Sequence, residues 1–432
     1  MRWLAGNGRI AAQTPATFPR STRMAKPKVL FIHQNFPGQF RHLAVHLAQQ
    51  MHWNVVGLGD ARTTKPQVAS GVQILAYTHD VARPGGHPYL HGLESRVSRG
   101  QSVLRSLLAM RERGFTPDIV CCHPSWGESF FVREVFPHAR LVAYCEFYYH
   151  AIGSDVGFDT EFGHASLDDL CLLRMRNATN LMALADCDAG WSPTRWQASQ
   201  YPALLRDKIT VVHDGIDTSL VRPDAEAIFE NGTLRLTAAD SVITYVARNL
   251  EPYRGFHVFM RALPGILRAN PEARVVIVGG DEISYGKAPK EGGCWRAKMM
   301  NEIGAVPGLD RVHFLGKVAY QDYISLLQVS TVHAYLTYPF VLSWSLLEAM
   351  AAGCVVVASS TPPVTEVIED GVNGVLTEFF DVDGLCERIT AAVRDRQGHA
   401  ALRERARATI VDRYDLRGVC VPRQLELLGG LL

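Results

Sequence analysis

The chain has 432 residues, of which 47% are hydrophobic, and its 44 basic and 43 acidic residues nearly cancel. This length and composition predict two or three globular domains of roughly 100–200 residues each. The balanced charge excludes a general electrostatic attraction for nucleic acid or for an anionic membrane, although a local basic face is compatible with it.

Cysteine usage and hydropathy indicate the compartment. The nine cysteines show no C-x-x-C spacing and lie mostly in apolar contexts, as at Cys354 and Cys386. This pattern favours reduced core thiols over disulfides or a zinc site, and therefore predicts a cytoplasmic protein. No stretch approaches the ~18 consecutive apolar residues that a membrane-spanning helix needs.

Residues 1–25 have a different composition from the rest of the chain. They contain four Arg and no acidic residue, and they lack the apolar core of a secretory signal. A transit peptide is one interpretation. We expect a disordered extension instead, because Met24 directly precedes the first predicted strand.

The first half of the chain then alternates short apolar runs with helical patterns. The run at 29–32 is followed by the Pro37-Gly38 turn and by a helix with Leu43 and Leu47 on one face. This order predicts a strand-helix-strand unit. Further strands are predicted at 72–76, 119–122, 141–144 and 209–212, with a helix at 102–113.

The segment 221–236 has the Pro, Asn-Gly and charged residues of a linker, and the strand pattern resumes after it. From Asp381 onwards, apolar residues recur at helical spacing. Two doubly wound α/β domains are therefore expected, and such domains bind ligands at the carboxyl ends of their parallel strands, here in the cleft between them. The second series of strands is predicted at 241–247, 274–280, 311–316, 332–336 and 354–359.

We divide the chain accordingly into four parts. Residues 1–25 are the extension, 26–222 the N-terminal domain, 223–400 the C-terminal domain and 401–432 a helical tail. The boundary between the two domains is expected to lie near residues 220–235.

Three residues near predicted strand ends suit a phosphate. Gly38 lies in the loop HQNFPGQF, between a strand and a helix, where backbone N–H groups can hold an anion. Arg248 directly follows a strand and Arg254 precedes another helix. Two cations that keep their charge suit a diphosphate. The alternatives are a plain turn at Gly38 and two solvated surface arginines.

Glu348 is the single acid in the segment YPFVLSWSLLEAMAAGC. With Ser345 it matches the S-x-x-E capping box, and spacing alone favours this helix cap. The alternative is a carboxylate that faces the cleft and accepts hydrogen bonds from the hydroxyls of a ribose or another sugar.

Two loops that follow predicted strands, CCHPSWGES and VAYCEFYYH, mix aromatic and polar residues. Aromatic rings stack on the apolar faces of sugars, while His, Glu and Ser bond sugar hydroxyls. The two loops together predict a sugar site. Its candidate residues are His123, Ser125, Trp126, Glu128, Glu146, Tyr148, Tyr149 and His150.

Several common motifs do not occur in the chain. It contains no Walker A pattern, no G-x-G-x-x-G and no G-x-S-x-G elbow. Asp155 and Asp159 fit no standard metal-binding loop, so we interpret them as solvated turn carboxylates.

The order of these motifs resembles glycosyltransferase family 4, whose members have the two-domain GT-B fold. The resemblance rests on the Pro-Gly loop, on VVHDGID at 211–217, on Arg248 with Arg254, and on residues 346–376. That last segment is similar to the family signature LEAMA.G.PVVAS...G..E.I..G.NG.L. The likeness covers nearly all of residues 26–425.

This resemblance implies a nucleotide-diphosphate sugar donor, held mainly by the C-terminal domain, and an acceptor on the N-terminal domain. It also implies retention of the anomeric configuration without a bound metal or other cofactor. Arg248, Arg254 and Gly38 would contact the diphosphate, and Glu348 would bind the ribose.

The sequence departs from the family pattern near Glu348. Phe340, or Tyr338 if the spacing is shifted, stands where the family has the first glutamate of a Glu, seven residues, Glu motif. Ser343 and Ser345 then become the candidates for binding the donor sugar, together with backbone N–H groups near them.

A second departure concerns catalysis. Glu146 stands where many family members have a histidine, and Glu146, His123 and His150 are the candidates for that role, in that order. Arg248 is expected to stabilise the departing diphosphate. The acceptor is predicted to contact Trp126, Glu128, Tyr148 and His150.

The predicted protein is thus a retaining glycosyltransferase that acts on a glycan or lipid-linked acceptor. A GT-B relative with epimerase or phosphorylase chemistry and a non-catalytic nucleotide-sugar-binding protein are the alternatives. Five arginines between residues 95 and 114 lie near an apolar face. They suit peripheral contact with an anionic membrane, although a solvated helix face is the better prediction.

Overall fold

The computed structural model describes residues 26–79 and 86–432. The expected extension at residues 1–25 lies outside the described residues.

Eight strands form the sheet of the N-terminal domain, in the order β3-β4-β2-β1-β5-β6-β7-β8. All neighbours are parallel except β3, which pairs antiparallel with β4. The predicted runs form strands, whereas the short β3 and β7 were not predicted. The bounds are β1 Lys28–Ile32, β2 Asn54–Asp60, β3 Gln67–Ala69, β4 Val72–Tyr77, β5 Ile119–Cys122, β6 Arg140–Tyr144, β7 Ala189–Ser192 and β8 Ile209–Val211.

Both faces of this sheet are covered, as the near-continuous apolar runs predict. Leu30 and Ile32 belong to the core on one face, and Val29 and Phe31 to the core on the other. The helices of this domain are α1 Arg41–Gln49, α2 His91–Glu112, α3 Val132–Val135, α4 Leu167–Asp186, α5 Arg195–Ser199 and α6 Ala203–Arg206.

The segment predicted as a linker contains a β-hairpin. Its strands β9 (Ile228–Asn231) and β10 (Leu234–Thr237) pair antiparallel. Gly232 adopts a positive φ of 59° between them. An Asn-Gly pair between alternating apolar residues favours a hairpin turn, so the linker interpretation was wrong here.

The C-terminal domain has a parallel sheet of six strands in the order β13-β12-β11-β14-β15-β16. Val355 and Val357 pack into the core on one face, and Val356 and Ala358 into the core on the other. The fold is therefore two doubly wound domains, as expected. The strands are β11 Val242–Asn249, β12 Arg274–Gly280, β13 Val312–Gly316, β14 Val332–Tyr335, β15 Val355–Ser359 and β16 Val375–Thr377.

The tail is helical, as predicted, and it contacts both domains. Its last helix returns to the N-terminal domain, where Leu428 joins the core beside α1. The helices after the hairpin are α7 Phe256–Ala269, α8 Trp295–Ile303, α9 Tyr320–Val329, α10 Trp344–Ala352, α11 Pro362–Thr365, α12 Val382–Arg394, α13 Ala400–Tyr414 and α14 Val421–Gly429.

Residues 151–165, between β6 and α4, cross from the N-terminal domain to the C-terminal domain. We call this segment the strap. Asp155 accepts a hydrogen bond from the Tyr253 hydroxyl at 3.0 Å, and Asp159 accepts one from Tyr338 at 2.6 Å. Both carboxylates are buried. The interpretation of Asp155 and Asp159 as solvated turn carboxylates was therefore wrong.

Helix α2 does not present all its arginines to a membrane. The Arg99 side chain is 12% exposed and lies 3.1 Å from Asp60 and 3.7 Å from Glu128. Arg96 donates to the Ser125 carbonyl, so the proposed basic lipid-facing surface loses two of its five arginines. Among the described helices, none has the length and apolar character that crossing a bilayer requires. All nine cysteines are unpaired, as predicted.

Candidate active site

A cavity of about 500 Å³ lies at the carboxyl ends of β11, β12 and β13. We call it the donor cavity. It brings together four of the predicted residues: Arg248, Ser343, Ser345 and Glu348. Other residues lining it include Arg41, Lys317, Tyr320, Tyr323 and Trp344. Arg41 is the one N-terminal-domain residue among those found to line it.

Two cations at the ends of β11 and β13, which flank β12 in the sheet, line this cavity. Arg248 is the second-to-last residue of β11, is exposed, and makes no side-chain hydrogen bond to the residues that the structure describes. Lys317 follows β13 and pairs with Glu282 at 2.8 Å. Sequence reasoning missed Lys317, although it directly follows the predicted strand at 311–316, just as Arg248 follows the predicted strand at 241–247.

Glu348 does not cap helix α10. The N-cap is Ser343, whose hydroxyl accepts the Ser345 N–H, so the capping-box interpretation was wrong. The Glu348 carboxylate instead accepts hydrogen bonds from Tyr320 at 2.7 Å and Tyr323 at 2.9 Å. Burial raises the pKa of Glu348, against the opposing effect of the two phenols and of Arg41.

Arg254 is buried outside the donor cavity, against the loop between β14 and α10. Its Nη1 donates to the Thr337 hydroxyl and to the Val341 carbonyl, both at 2.8 Å. The side chain therefore holds the loop between β14 and α10, and it does not line the donor cavity. Burial lowers the pKa of Arg254, but Tyr335 and the other neighbours raise it overall, so the group stays charged. The predicted contact of Arg254 with a diphosphate is not supported.

The loop that lacks the family's first glutamate is filled with aromatic rings. Phe340 packs edge-to-face on Phe147, with ring centroids 4.7 Å apart, and on Tyr285 at 4.9 Å. The Tyr338 hydroxyl donates a hydrogen bond to Asp159 of the strap. Neither ring supplies a carboxylate to a donor sugar. Ser343 and Ser345 line the cavity nearby, and their hydroxyls are 3.0 Å apart.

The N-terminal domain contributes a polar cluster around Glu146. Gln39 donates to Glu146 at 2.7 Å, and His123 Nε2 lies 3.3 Å from the other carboxylate oxygen. Nδ1 of His123 lies 3.5 Å from the backbone nitrogen of Ser125, so Nε2 is the ring nitrogen that faces Glu146. Burial acts to raise the pKa of Glu146, but the hydrogen bonds from His123 and Gln39 lower it overall. Glu146 is therefore ionised.

The His33 ring, which sequence reasoning missed, explains why a glycine is needed at position 38. Gly38 has a φ of +47°, and a Cβ there would lie 2.6 Å from the His33 ring. His33 also contacts the His123 and Trp126 rings edge-on. Burial and the neighbouring His123 lower the pKa of His33 to about 3, so this ring is neutral. Gly38 thus allows the loop to close over His33, and no contact of Gly38 with a phosphate is shown.

Three of the four predicted acceptor residues divide into two groups. Trp126 stacks on His123, with centroids 4.4 Å apart, and so belongs to the Glu146 cluster. Tyr148 packs on Tyr201 and on His150, whose Nε2 bonds the Gln200 carbonyl.

Glu128 lies in neither group. Its side chain is 0% exposed and accepts the Tyr77 hydroxyl at 3.0 Å, beside Arg99. The prediction that Glu128 contacts an acceptor was wrong, because the carboxylate lies inside the domain.

Comparison with known proteins identifies the family. The model of the glycosyl transferase family 4 group matches residues 51–221, and the model of glycosyl transferases group 1 matches residues 234–409. The chain belongs to the family 4 glycosyltransferases. Two curated relatives illustrate the similarity. A D-inositol 3-phosphate glycosyltransferase of Mycobacterium sp. (strain JLS) is 26% identical over 199 residues, which cover 46% of this chain and 42% of that protein.

The second is a phosphatidyl-myo-inositol mannosyltransferase of Mycolicibacterium smegmatis. It is 30% identical over 243 residues, which cover 55% of each protein. The glycosyltransferase thus spans about half the length of these curated relatives.

Solved structures establish the fold of the glycosyltransferase as GT-B. Anabaena HepE in complex with UDP-glucose has a TM-score of 0.64 at 19% identity, over 94% of this chain and 100% of that one. Sucrose-phosphate synthase from Thermosynechococcus elongatus has a TM-score of 0.70 at 16% identity, over 94% and 99% of the two chains.

The glycosyltransferase has a second cavity of about 610 Å³ beneath the strap. Aromatic rings of both domains line it, among them Phe162, Tyr285 and Trp295, together with Arg176 and Lys287. Sequence reasoning missed it, because the strap, α4 and the loop after β12 meet only in the folded chain.

One group of side chains at the strap has metal-ligand character. Ligand atoms of Asp159, Glu161 and His257 lie within 4.8 Å of one another. Glu161 is already paired with Arg261, and Asp159 with Tyr338. These bonds fasten the strap to the C-terminal domain.

Proposed function

We propose that this chain transfers a sugar from a nucleotide-diphosphate sugar to a hydroxyl acceptor, with retention of anomeric configuration and without a bound metal. The observation that carries the proposal is the donor cavity, which holds the buried Glu348 carboxylate and Arg248 in one space of about 500 Å³. Within the described part of the chain, Arg248 has no ion-pair partner. A cavity of this size, lined by cations, hydroxyls and a carboxylate, suits a charged ligand of nucleotide size.

The loop after β1 supports a catalytic rather than a merely binding role. Gln39 in this loop bonds Glu146, and Arg41, two residues later, lines the donor cavity. The ionised Glu146 and the donor cavity are therefore close together in the cleft. A bound donor would have its sugar beside a carboxylate able to interact with the acceptor hydroxyl.

In the proposed reaction the bond between the sugar C1 and the diphosphate oxygen breaks, and a bond from C1 to the acceptor oxygen forms on the same face. Arg248 stabilises the negative charge that develops on the departing diphosphate, which we expect to be the largest catalytic term. Glu146 accepts a hydrogen bond from the acceptor hydroxyl and orients it. The hydroxyl proton is then taken up by the diphosphate.

Glu348 is proposed to bind the ribose of the donor. Its two carboxylate oxygens are now bonded to Tyr320 and Tyr323. Because Tyr320 is exposed, its hydroxyl can be displaced by a ribose hydroxyl without opening the core. The UDP-glucose complex of HepE, which shares the fold, supports a nucleotide sugar as ligand.

The acceptor is proposed to be a polyol, a glycan or a lipid-linked glycan. The names of the two curated relatives, one for inositol 3-phosphate and one for phosphatidyl-myo-inositol, support this class. Trp126, stacked on His123, is the proposed acceptor platform. We also propose a cytoplasmic location, with the lipid-linked alternative placing the protein at the membrane surface.

A panel of UDP, GDP and ADP sugars tests the proposal. Thermal unfolding would be recorded with each donor, together with the slow release of nucleotide. One donor is expected to raise the melting temperature and to be hydrolysed, since a ligand at 100 times its dissociation constant stabilises by ~2.7 kcal/mol. Stabilisation without release, even with candidate acceptors, would favour the binding-protein alternative. Release that is indifferent to added acceptors would favour an epimerase or phosphorylase.

A further inference from the structure

We infer that Arg41, from the N-terminal domain, is a donor-phosphate ligand that completes the donor cavity across the cleft. The inference rests on the proposed function, because it assigns a new residue to the same nucleotide-sugar site.

Arg41 is held over the cavity by two aromatic rings of the C-terminal domain. Its guanidinium carbon lies 4.3 Å from the centroid of a Trp344 ring and 5.7 Å from that of Tyr320. Cation–π contact fixes the plane of the group while leaving its N–H edges available. Its Nε donates a hydrogen bond to His42 Nε2 at 3.1 Å. The terminal nitrogens have no hydrogen-bonded partner among the residues that the structure describes.

The two negative charges of a donor diphosphate would need a second cation on the cavity lining besides Arg248. A nucleoside diphosphate sugar carries two negative charges on its phosphates. The family pattern supplies two cations, but Arg254 is buried against Thr337 and Val341 and is absent from the cavity lining. Lys317 already has an ion-pair partner in Glu282, at 2.8 Å. Arg41 and Arg248 are the two cations on the lining without a carboxylate partner in the described structure, and together they match the charge of the diphosphate.

The ring beneath Arg41 is itself fixed. Trp344 donates its indole N–H to Asp214 at 2.9 Å, and its backbone begins α10 between Ser343 and Ser345. A donor bound by Arg41 would therefore join the first helix of one domain to the donor-binding helix of the other. Arg41 binds the phosphates only when the two domains are together.

The test compares binding of a nucleoside diphosphate and of its parent nucleoside, with the base chosen by the donor panel. Calorimetry would be run on the full chain with Arg41→Ala, Arg41→Lys and the control Arg105→Ala. Arg105 is exposed on α2. We expect Arg41→Ala to weaken diphosphate binding ~10-fold or more and nucleoside binding less than ~2-fold. Arg41→Lys should recover part of the loss, and Arg105→Ala should change neither affinity.

Two results would overturn the inference. Unchanged diphosphate affinity in Arg41→Ala would show that Arg41 does not contact the phosphates. An equal loss for diphosphate and nucleoside would show that it only supports the cavity wall. A wild-type chain that binds no nucleoside diphosphate would instead refute the proposed function itself, and the Arg41 assignment with it. Melting temperatures of all variants identify any that fail to fold.

Discussion

The indole N–H of Trp344 donates a 2.9 Å hydrogen bond to the carboxylate of Asp214. Asp214 lies in the segment that connects the two sheets, and it also accepts the hydroxyl of Tyr144 on β6 at 2.9 Å. One buried carboxylate thus links the wall of the donor cavity, the connecting segment and the N-terminal sheet. The position of the domains and the shape of the cavity are coupled through this group.

Asp214 predicts a pH-dependent stability. Burial, together with the charge of Glu146, raises the pKa of Asp214 from 3.8 to about 7. Between these values the folded state binds more protons than the unfolded state, so the free energy of unfolding falls as the pH rises from about 4 to 7. Asp214→Asn should remove this part of the slope. Urea unfolding at about pH 5 and pH 8 gives the change in the free energy of unfolding with pH, and this change is compared between the variant and wild type.

The comparison between variant and wild type is needed because other groups also change the free energy of unfolding over this pH range. The neutral histidines His33, His213 and His333 have lowered pKa values of about 3, 4 and 3. They contribute the opposite slope through the unfolded histidine pKa near 6.5. An Asp214→Asn chain with the wild-type pH dependence would contradict the proposed state of Asp214.

Arg254→Ala should destabilise the fold, whereas Arg248→Ala should not. Removing the Arg254 guanidinium leaves the Thr337 hydroxyl and the Val341 carbonyl without their partner in a buried loop. A loss of ~2–4 kcal/mol is expected. Arg248 is exposed and its side chain makes no hydrogen bond to any described residue, so its removal should change the free energy of unfolding by less than ~0.5 kcal/mol. Equal free energies of unfolding for the two variants would contradict the assignment of Arg254 to a structural role and Arg248 to the cavity.

Glu348→Gln should weaken nucleotide binding by ~10-fold or more, since it removes a charged acceptor for the ribose hydroxyls. Titrations with a nucleotide and its deoxyribose analogue provide the test. If Glu348 binds the ribose, the losses from the variant and from the analogue will not add. Tyr320→Phe is the control. Its nucleotide affinity is expected to stay within ~3-fold of wild type, because the Tyr320 hydroxyl bonds Glu348 only in the free protein. Additive losses would place Glu348 away from the ribose.

Glu146→Gln should lower turnover by ~10²-fold or more while donor affinity stays the same, because the carboxylate acts on the acceptor hydroxyl. The exposed Glu94 on α2 provides a matched control, and Glu94→Gln should retain full turnover. Initial rates at saturating donor measure the effect. Near-full turnover in Glu146→Gln would exclude this role for the carboxylate.

The sequence predicted the architecture because the α/β pattern is local. Short apolar runs separated by helical stretches determine two parallel sheets, and parallel sheets place ligands at their carboxyl ends. Arg248, Ser343, Ser345 and Glu348 therefore came together as expected. The chemical role of Glu348 could not be decided from spacing, because the S-x-x-E pattern is satisfied whether or not Ser345 is the cap.

What the sequence could not show depends on contacts between distant segments. Arg254 follows Arg248 at the expected spacing, but spacing does not show that its side chain turns towards Thr337 and Val341. Arg41 becomes relevant only because Trp344, from the other domain, lies beneath it. The strap acids Asp155 and Asp159 resemble turn residues until their C-terminal-domain partners are known.

The most direct test of the central claim is the rate of nucleotide release from the donor that stabilises the protein, measured side by side for wild type and Arg248→Ala. If Arg248 stabilises the departing diphosphate, the variant should be slower by ~10²-fold or more at saturating donor, with an unchanged melting temperature. A loss smaller than ~3-fold would contradict the assignment of the donor cavity as the site of transfer.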